Sequence, residues 1–391
     1  MAIELGIDGR QFRNEFSGRK PLLARGAVTG RKFLLEDLEQ ILYCTEPRTP
    51  DFSIHDGQGF VAEKEYTEPF VEMGVARNRL AKIRFYELLR RGATLILNRV
   101  EARSTVIKQI CCDIGRYASQ PVLANGYLCR RDLPSFGLHW DTHDVFAVQL
   151  LGRKRWQLYP PTFELPVAGQ ASRHSSSEAL RECEPFLDVT LEERDVLYVP
   201  RGWWHCVTGV GTTTFHLSIG VHSPHVRDYI AWLCANVLPA RIEFRRTLPM
   251  HRSEGEPDAD AAFDLIRQAA VALGDVMSSR EYFEQYCQRV LDSERLHLPL
   301  GLAEEFLESA DIGTGATITL SSIYLRDLSK FTHLNGERLP VAGLDADALR
   351  ALSERGDLSI SQLARELNVS IESVNAIVKD LAARGLVFLR S

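Results

Sequence analysis

The sequence predicts an α+β protein in which a strand-dense barrel is followed by a helical region and a compact tail of short helices ending in a strand. Three observations carry this reading. Residues 121 to 222 string β-rich apolar runs between turn signals, the apolar period lengthens to that of a helix beyond Pro224, and from about Leu339 short capped segments lead into Gly385-Leu-Val-Phe-Leu-Arg390. A chain of 391 residues with 45% hydrophobic content has room for two or three domains and a substantial core.

The elements follow in chain order. Residues 1 to about 120 mix short helices and strands, and Phe85 to Val100 reads as a helix leading into a buried strand. Asp144-Val-Phe-Ala-Val-Gln-Leu150 is a β-rich run, Gly152 marks a turn, and Lys154-Arg-Trp-Gln-Leu-Tyr159 reads as the returning arm of a hairpin. Arg194-Asp-Val-Leu-Tyr-Val-Pro200 is a further buried strand, Pro200-Arg-Gly202 is a turn, and Trp203-Trp-His205 opens the next strand at a barrel mouth. Val226, Tyr229, Ile230, Leu233 and Val237 then fall at helical spacing, and the helical style resumes from Ala259 to about Ser309. Three short helices follow, Asp345 to Glu354, Ser359 to Asn368 and Ser370 to Arg384, the last two with serine caps. With the closing strand this is a winged-helix pattern.

The chemistry concentrates at His139 and Asp141. Two residues apart on a strand, their side chains project to the same face, so an imidazole and a carboxylate can share one cation. His205, from a neighbouring strand, would complete a 2-His-1-carboxylate triad for non-haem iron, which leaves positions open for a 2-oxo acid and dioxygen. His-x-Asp alone is a common pairing, and the strand context gives it weight. His143 and Asp144 are rival ligands. His143 has the right parity but stands roughly 13 Å along a strand from His139, so it reads as a residue beside the site or facing substrate. His216 and His222 read as packed or hydrogen-bonded barrel residues.

On Asn125-Gly-Tyr127, Gly137-Leu-His-Trp-Asp-Thr-His-Asp-Val-Phe146, Gln149-Leu-Leu-Gly-Arg-Lys-Arg-Trp156 and Arg194-Asp-Val-Leu-Tyr-Val-Pro-Arg-Gly-Trp-Trp-His205, the chain resembles the JmjC or cupin-type 2-oxoglutarate oxygenases. Within them it is most similar to the bacterial cupin-like branch related to ribosomal-protein hydroxylases. Phe12 to Gly26 also looks like the family's amino-terminal segment. The resemblance implies a double-stranded β-helix catalytic domain over 1–223, a helical dimerisation region over 224–335 read here as a homodimer interface, and a winged-helix domain over 336–391. It implies Fe(II) on His139, Asp141 and His205, with 2-oxoglutarate and O2 as co-substrates. Lys154 would hold the distal carboxylate of 2-oxoglutarate through a charge-assisted contact, with Asn125 and Tyr127 reaching the same molecule. Gly220 departs from the pattern, since some relatives place serine or threonine there.

The resemblance also implies the reaction: oxidative decarboxylation of 2-oxoglutarate to succinate and carbon dioxide, coupled to hydroxylation of an unactivated C–H bond. A side chain of a ribosomal protein is the first expectation for the substrate. A free amino acid or small peptide is the second and lysine demethylation the third. A non-enzymatic winged-helix regulator with a sensing barrel is the alternative from a different class, against which the intact triad counts.

Charge and composition bound the partners. A formal net charge of -6 suits a basic protein substrate better than nucleic acid, and Asp132, on the loop before His139, is placed to pair with a basic substrate side chain or simply to be solvated. Residues 341–391 hold six Lys/Arg against seven Asp/Glu, too few cations for phosphate neutralisation, so DNA binding is not expected of the tail. No apolar run approaches the ~20 residues of a membrane span and no signal peptide is evident. Eight cysteines without a Cys-x-x-Cys, most in apolar patterns, suit a reducing cytoplasm.

Overall fold

The computed structural model describes residues 1–130, 136–174, 180, 183–249, 259–292, 313–320, 331–334 and 337–390. The chain divides into two compact units, Met1–His222 and Ser223–Ser391. Among the described residues no helix is long and apolar enough to cross a membrane.

The first unit is built on one eight-stranded sheet. Its strands are β1 (Leu22–Ala24), β2 (Phe52–His55), β3 (Thr94–Leu97), β4 (Val122–Cys129), β5 (Asp144–Tyr159), β6 (Leu187–Leu191), β7 (Val196–Val199) and β8 (Trp204–Val221). They lie in the order β1-β7-β5-β8-β4-β3-β2, with β6 added beside β5, and every pairing is antiparallel.

The expected hairpin at Gly152 is not formed. Residues 144–159 are a single strand of 16 residues, and it pairs with the 18-residue β8 on both sides of the bend. Arg153 to Tyr159 run against Val210 to Trp204, and Asp144 to Leu151 run against Val221 to Phe215. Gly152 bends the strand without reversing it. Its φ is +60°, and a Cβ there would stand 2.3 Å from the Thr213 carbonyl oxygen, so the strands close on each other only because the side chain is missing. The outer neighbours change at the same place: β7 pairs with the first half of β5 and β6 with the second. One pair of long strands thus serves two halves of the barrel.

Two cores follow from the bend. The larger unites Phe146, Val148, Phe215, Leu217 and Ile219 with residues from the amino-terminal helices Gly9–Glu15 and Thr105–Ala118. Phe12 packs on Phe146 and Tyr198 with ring centroids 5.3 and 4.9 Å apart, contacts worth about 0.5–1.5 kcal/mol each beyond their buried area. The smaller gathers Trp156, Leu158, Leu191, Leu197 and Trp203.

In the second unit, helices Val226–Asn236, Ala259–Ser278 and Arg280–Asp292 share a cluster of Tyr229, Leu233, Val237 and Val276. The tail folds as helices Gly343–Arg355, Ile360–Leu367 and Ile371–Ala383 around Leu349, Leu352, Ile360, Leu363, Val374, Val378 and Leu381. Ser359 and Ser370 cap the second and third as expected, accepting from Gln362 N and Ser373 N. The closing strand Val387–Arg390 pairs with Thr317–Leu320, which also pairs with Leu358–Ser359. The winged-helix sheet therefore takes its central strand from well before residue 336, where sequence alone starts the domain.

Replacing Gly152 with alanine is expected to destabilise the first unit by about 1–3 kcal/mol or more, from a strained backbone and a forced strand separation. Urea unfolding of the variant beside the parent measures this.

Candidate metal centre

His139 and His205 face each other through a two-bond backbone bridge, with His139 N donating to the His205 carbonyl at 3.1 Å and His205 N to the His139 carbonyl at 2.7 Å. The loop carrying His139 is not a regular strand. That bridge, and the Gly202 N–H donating to the Asp141 carbonyl at 3.0 Å, fix it against the start of β8. Backbone bridging, and not strand alternation, therefore brings His139 and Asp141 to one side.

The three side chains converge. One ligand atom from each of His139, Asp141 and His205 lies within 4.8 Å of the others, and His205 Nε2 is 3.7 Å from Asp141 Oδ2. Each imidazole has its Nδ1 beside a backbone carbonyl, His139 at 3.1 Å from Gly137 O and His205 at 3.1 Å from Trp203 O. An Nδ1–H donating there leaves the Nε2 lone pair for a cation. Burial pushes the His205 pKa down to about 4, with the neighbouring His139 adding to the effect, so the imidazole is neutral near pH 7. Two imidazoles and a carboxylate in this spacing are a donor set for a divalent transition metal.

Beside this cluster a cavity is lined by Tyr127, Phe136, Val145, Lys154, Trp156 and Val207, among others. Lys154 is 2% exposed. Its Nζ donates to the Tyr127 carbonyl at 3.3 Å and lies 2.7 Å from His216 Nδ1, and burial lowers its pKa. The Tyr127 phenol, raised to about 12 by burial and then by the Asp141 charge, is a neutral donor that also bonds Asn125. Asn125 is itself held, its Oδ1 accepting from Arg99 N at 3.2 Å, so it reaches the cavity through Tyr127. The Trp156 indole N–H is buried without a hydrogen-bond partner among the described residues.

The remaining expectations divide. Asp144 is occupied, accepting from the Tyr198 hydroxyl at 2.6 Å and Arg201 N at 2.9 Å, and pins the turn before β8. His143 does not line the cavity and stacks on His222 with centroids 5.4 Å apart. Gly220 makes room for that ring, because a Cβ at 220 would stand 2.7 Å from His143. Here a serine would displace His143, which accounts physically for the departure from the relatives' pattern. Asp132 lies outside the described residues. Of the eight cysteines only Cys111, Cys112 and Cys129 are buried, fewer than the apolar patterns suggest. Burial raises the Cys206 thiol, in keeping with an inert neighbour of His205. His216, read from sequence as a packed or hydrogen-bonded barrel residue, is both, and it faces the cavity beside Lys154.

Residues 98–229 match the JmjC domain model. The chain carries a JmjC domain. Residues 339–391 match the MarR family model, in agreement with the winged-helix fold of the tail. The bifunctional lysine-specific demethylase and histidyl-hydroxylase NO66 of Drosophila persimilis is 30% identical over 133 residues, 34% of this chain and 19% of that protein. The protein of the same name from Drosophila erecta is 33% identical over 153 residues, 37% of this chain and 23% of the relative. The chain thus spans about a fifth of the length of these relatives. The crystal structure of Escherichia coli ribosomal oxygenase YcfD matches over 100% of both chains with a TM-score of 0.56 and 16% identity. The same protein in complex with cobalt and 2-oxoglutarate matches with a TM-score of 0.55. These likenesses show a shared fold, a JmjC jelly roll with a winged helix at the carboxy terminus.

Alanine at His139, Asp141 or His205 is expected to weaken Fe(II) or Co(II) binding at least about 100-fold while leaving thermal unfolding nearly unchanged, because a ligand atom is removed and no core volume is lost. Metal titration followed by calorimetry on each variant reads it, and full-affinity binding by Asp141→Ala would contradict the assignment.

Proposed function

We propose that this chain is an Fe(II)- and 2-oxoglutarate-dependent hydroxylase that uses O2 and acts on an amino-acid side chain of a ribosomal protein. The observation that carries the reading is the convergence of His139, Asp141 and His205 beside a cavity whose wall holds a buried ammonium, that of Lys154. The ribosomal substrate draws on the likeness to a ribosomal oxygenase and to histidyl-hydroxylases.

His139, Asp141 and His205 would hold Fe(II) as a donor set of two imidazoles and one carboxylate, which suits iron able to take a 2-oxo acid and dioxygen as well. When bound, the iron supplies dioxygen activation coupled to decarboxylation of 2-oxoglutarate to succinate and carbon dioxide. Lys154 takes the distal carboxylate through a charge-assisted hydrogen bond, which a dry site strengthens. Tyr127, held by Asn125, offers its phenol to the same molecule. Val145, Val207 and Trp156 exclude water from the reacting space. His143 and Asp132 are retained as substrate-facing candidates, and a free amino acid or small peptide is the alternative substrate class.

The assembly reading is a homodimer formed through the helical region 224–335. Its support is the exposure of Phe263, Ile266 and Phe283 on helices Ala259–Ser278 and Arg280–Asp292, at 61%, 47% and 51%. A cytoplasmic setting suits eight free thiols.

DNA reading by the tail is the second possibility, favoured by the MarR family match. The surface of the third helix opposes it. Arg384, one of its two cations, is held by Asp345 at 2.9 Å and Asp380 at 2.8 Å, and also donates to the Pro340 carbonyl, while Glu372 and Asp380 stand exposed on the same helix. The full chain is expected to give no salt-dependent shift of duplex DNA, whereas a sequence-selective shift that weakens steeply with salt would promote the regulator reading.

Lys154→Ala is expected to raise the 2-oxoglutarate concentration needed for half-maximal turnover by a factor of about ten to a hundred, the effect of losing a charge-assisted contact of ~1.5–3 kcal/mol. Intact-mass comparison of ribosomal proteins from cells with and without this gene tests the substrate, and one added oxygen on one protein is the expected result. No shift on any ribosomal protein would move the reading to a small-molecule substrate.

A further inference from the structure

His216 is a buried histidine that neither the metal cluster nor the reaction so far employs. It is 6% exposed and lines the cavity. Its ring lies flat on Tyr127, with centroids 5.2 Å apart and planes 19° apart, and meets Trp156 edge to face at 5.6 Å and 88°. These two contacts fix an imidazole in place. Nδ1 then stands 2.7 Å from Lys154 Nζ.

A lysine on its four-carbon stem is a poor point of reference for a ligand, because its ammonium can sweep many positions. Here two of its three donors are committed, one to His216 Nδ1 and one to the Tyr127 carbonyl. Among the described residues the Cys129 thiol is its further partner, a weak acceptor that a carboxylate would displace. The ammonium is therefore aimed, with one N–H left for an anion. Burial and then the cation beside it favour the neutral imidazole, and a neutral ring that accepts at Nδ1 carries its proton on Nε2.

We propose that His216 is a positioning residue for the co-substrate: by accepting a hydrogen bond from Lys154 it holds the ammonium where it meets the distal carboxylate. The proposal rests on the reading of the site as a 2-oxoglutarate site. The fold explains how His216 gets there. His205 and His216 are eleven residues apart on β8 and of opposite parity, so a regular strand would point them to opposite faces. The register shifts between Val210 and Phe215 and again between Phe215 and His216, and both imidazoles line one cavity.

Two substitutions separate positioning from packing. His216→Phe keeps the stacked ring and removes the acceptor, whereas His216→Asn loses the ring and returns an amide oxygen close to Nδ1. The expected result is an apparent 2-oxoglutarate KM raised about tenfold in His216→Phe, with kcat little changed, and largely restored in His216→Asn. A wild-type KM in His216→Phe, or a greater loss in His216→Asn than in His216→Phe, would overturn the proposal. A readout independent of turnover is the ring's tautomer in the zinc-loaded full chain, by nitrogen-15 NMR of labelled histidine. Protonated Nε2 with acceptor Nδ1 is expected, and an Nδ1–H tautomer would overturn the proposal even if both variants failed to fold. Failure of the wild-type chain to consume 2-oxoglutarate would instead strike the functional reading, and the tautomer would still report the Lys154 to His216 bond.

Discussion

The paired backbone hydrogen bonds between His139 and His205 are the constraint on which the site depends. They bring a loop with little regular structure of its own against the first residues of β8 and set two imidazoles with ring centroids 4.3 Å apart. Everything chemical follows from that closeness. The Nδ1 atoms turn back to the carbonyls of Gly137 and Trp203, the Nε2 atoms are left facing inward, and Asp141, two residues on, delivers its carboxylate to the same point. Because the loop is held by main-chain bonds, a side chain can be removed from the cluster without dissolving the geometry that presents the others.

The second requirement is a pair of strands long enough to reach both ends of a co-substrate. β5 and β8 supply it by bending together instead of ending. Gly152 permits the bend on one strand and the register irregularity near residue 215 accommodates it on the other. The consequence is that one strand carries Val145 and Lys154, and the other His205 and His216, around a single cavity. Asp144, bonded to Tyr198 and to the backbone of Arg201, ties β5 to the turn that launches β8. Tyr198 in turn accepts from Gly18 N at 2.7 Å, so the amino-terminal segment buttresses the turn next to the metal ligands.

The sequence made the triad legible because it is written in residue types that few other demands would place together, and made the helices legible because their periods and serine caps are local properties. It hid what depends on parity across a bend. Gly152 looks like a hairpin turn because a glycine with positive φ is needed in both cases, and only the partner strand tells them apart. His216 reads correctly as packed or hydrogen-bonded, but its place on the cavity is hidden, because counting by twos from His205 puts it on the other face and no local pattern announces a bulge. The strand Thr317–Leu320 is hidden for a related reason, since it joins its partners Leu358–Ser359 and Val387–Arg390 only in space. Gly220 showed as an anomaly in sequence, and its cause is the ring of His143, which approaches from another segment.

The central claim, that the triad and the cavity beside it together hold iron and a 2-oxo acid, is tested most directly by titrating the Fe(II)-loaded full chain with 2-oxoglutarate under strict exclusion of oxygen and recording the visible spectrum. A saturable charge-transfer absorption is expected at one equivalent of 2-oxoglutarate, and it disappears on admission of oxygen as succinate forms. Iron bound at one equivalent with no new absorption at any concentration of 2-oxoglutarate would contradict it.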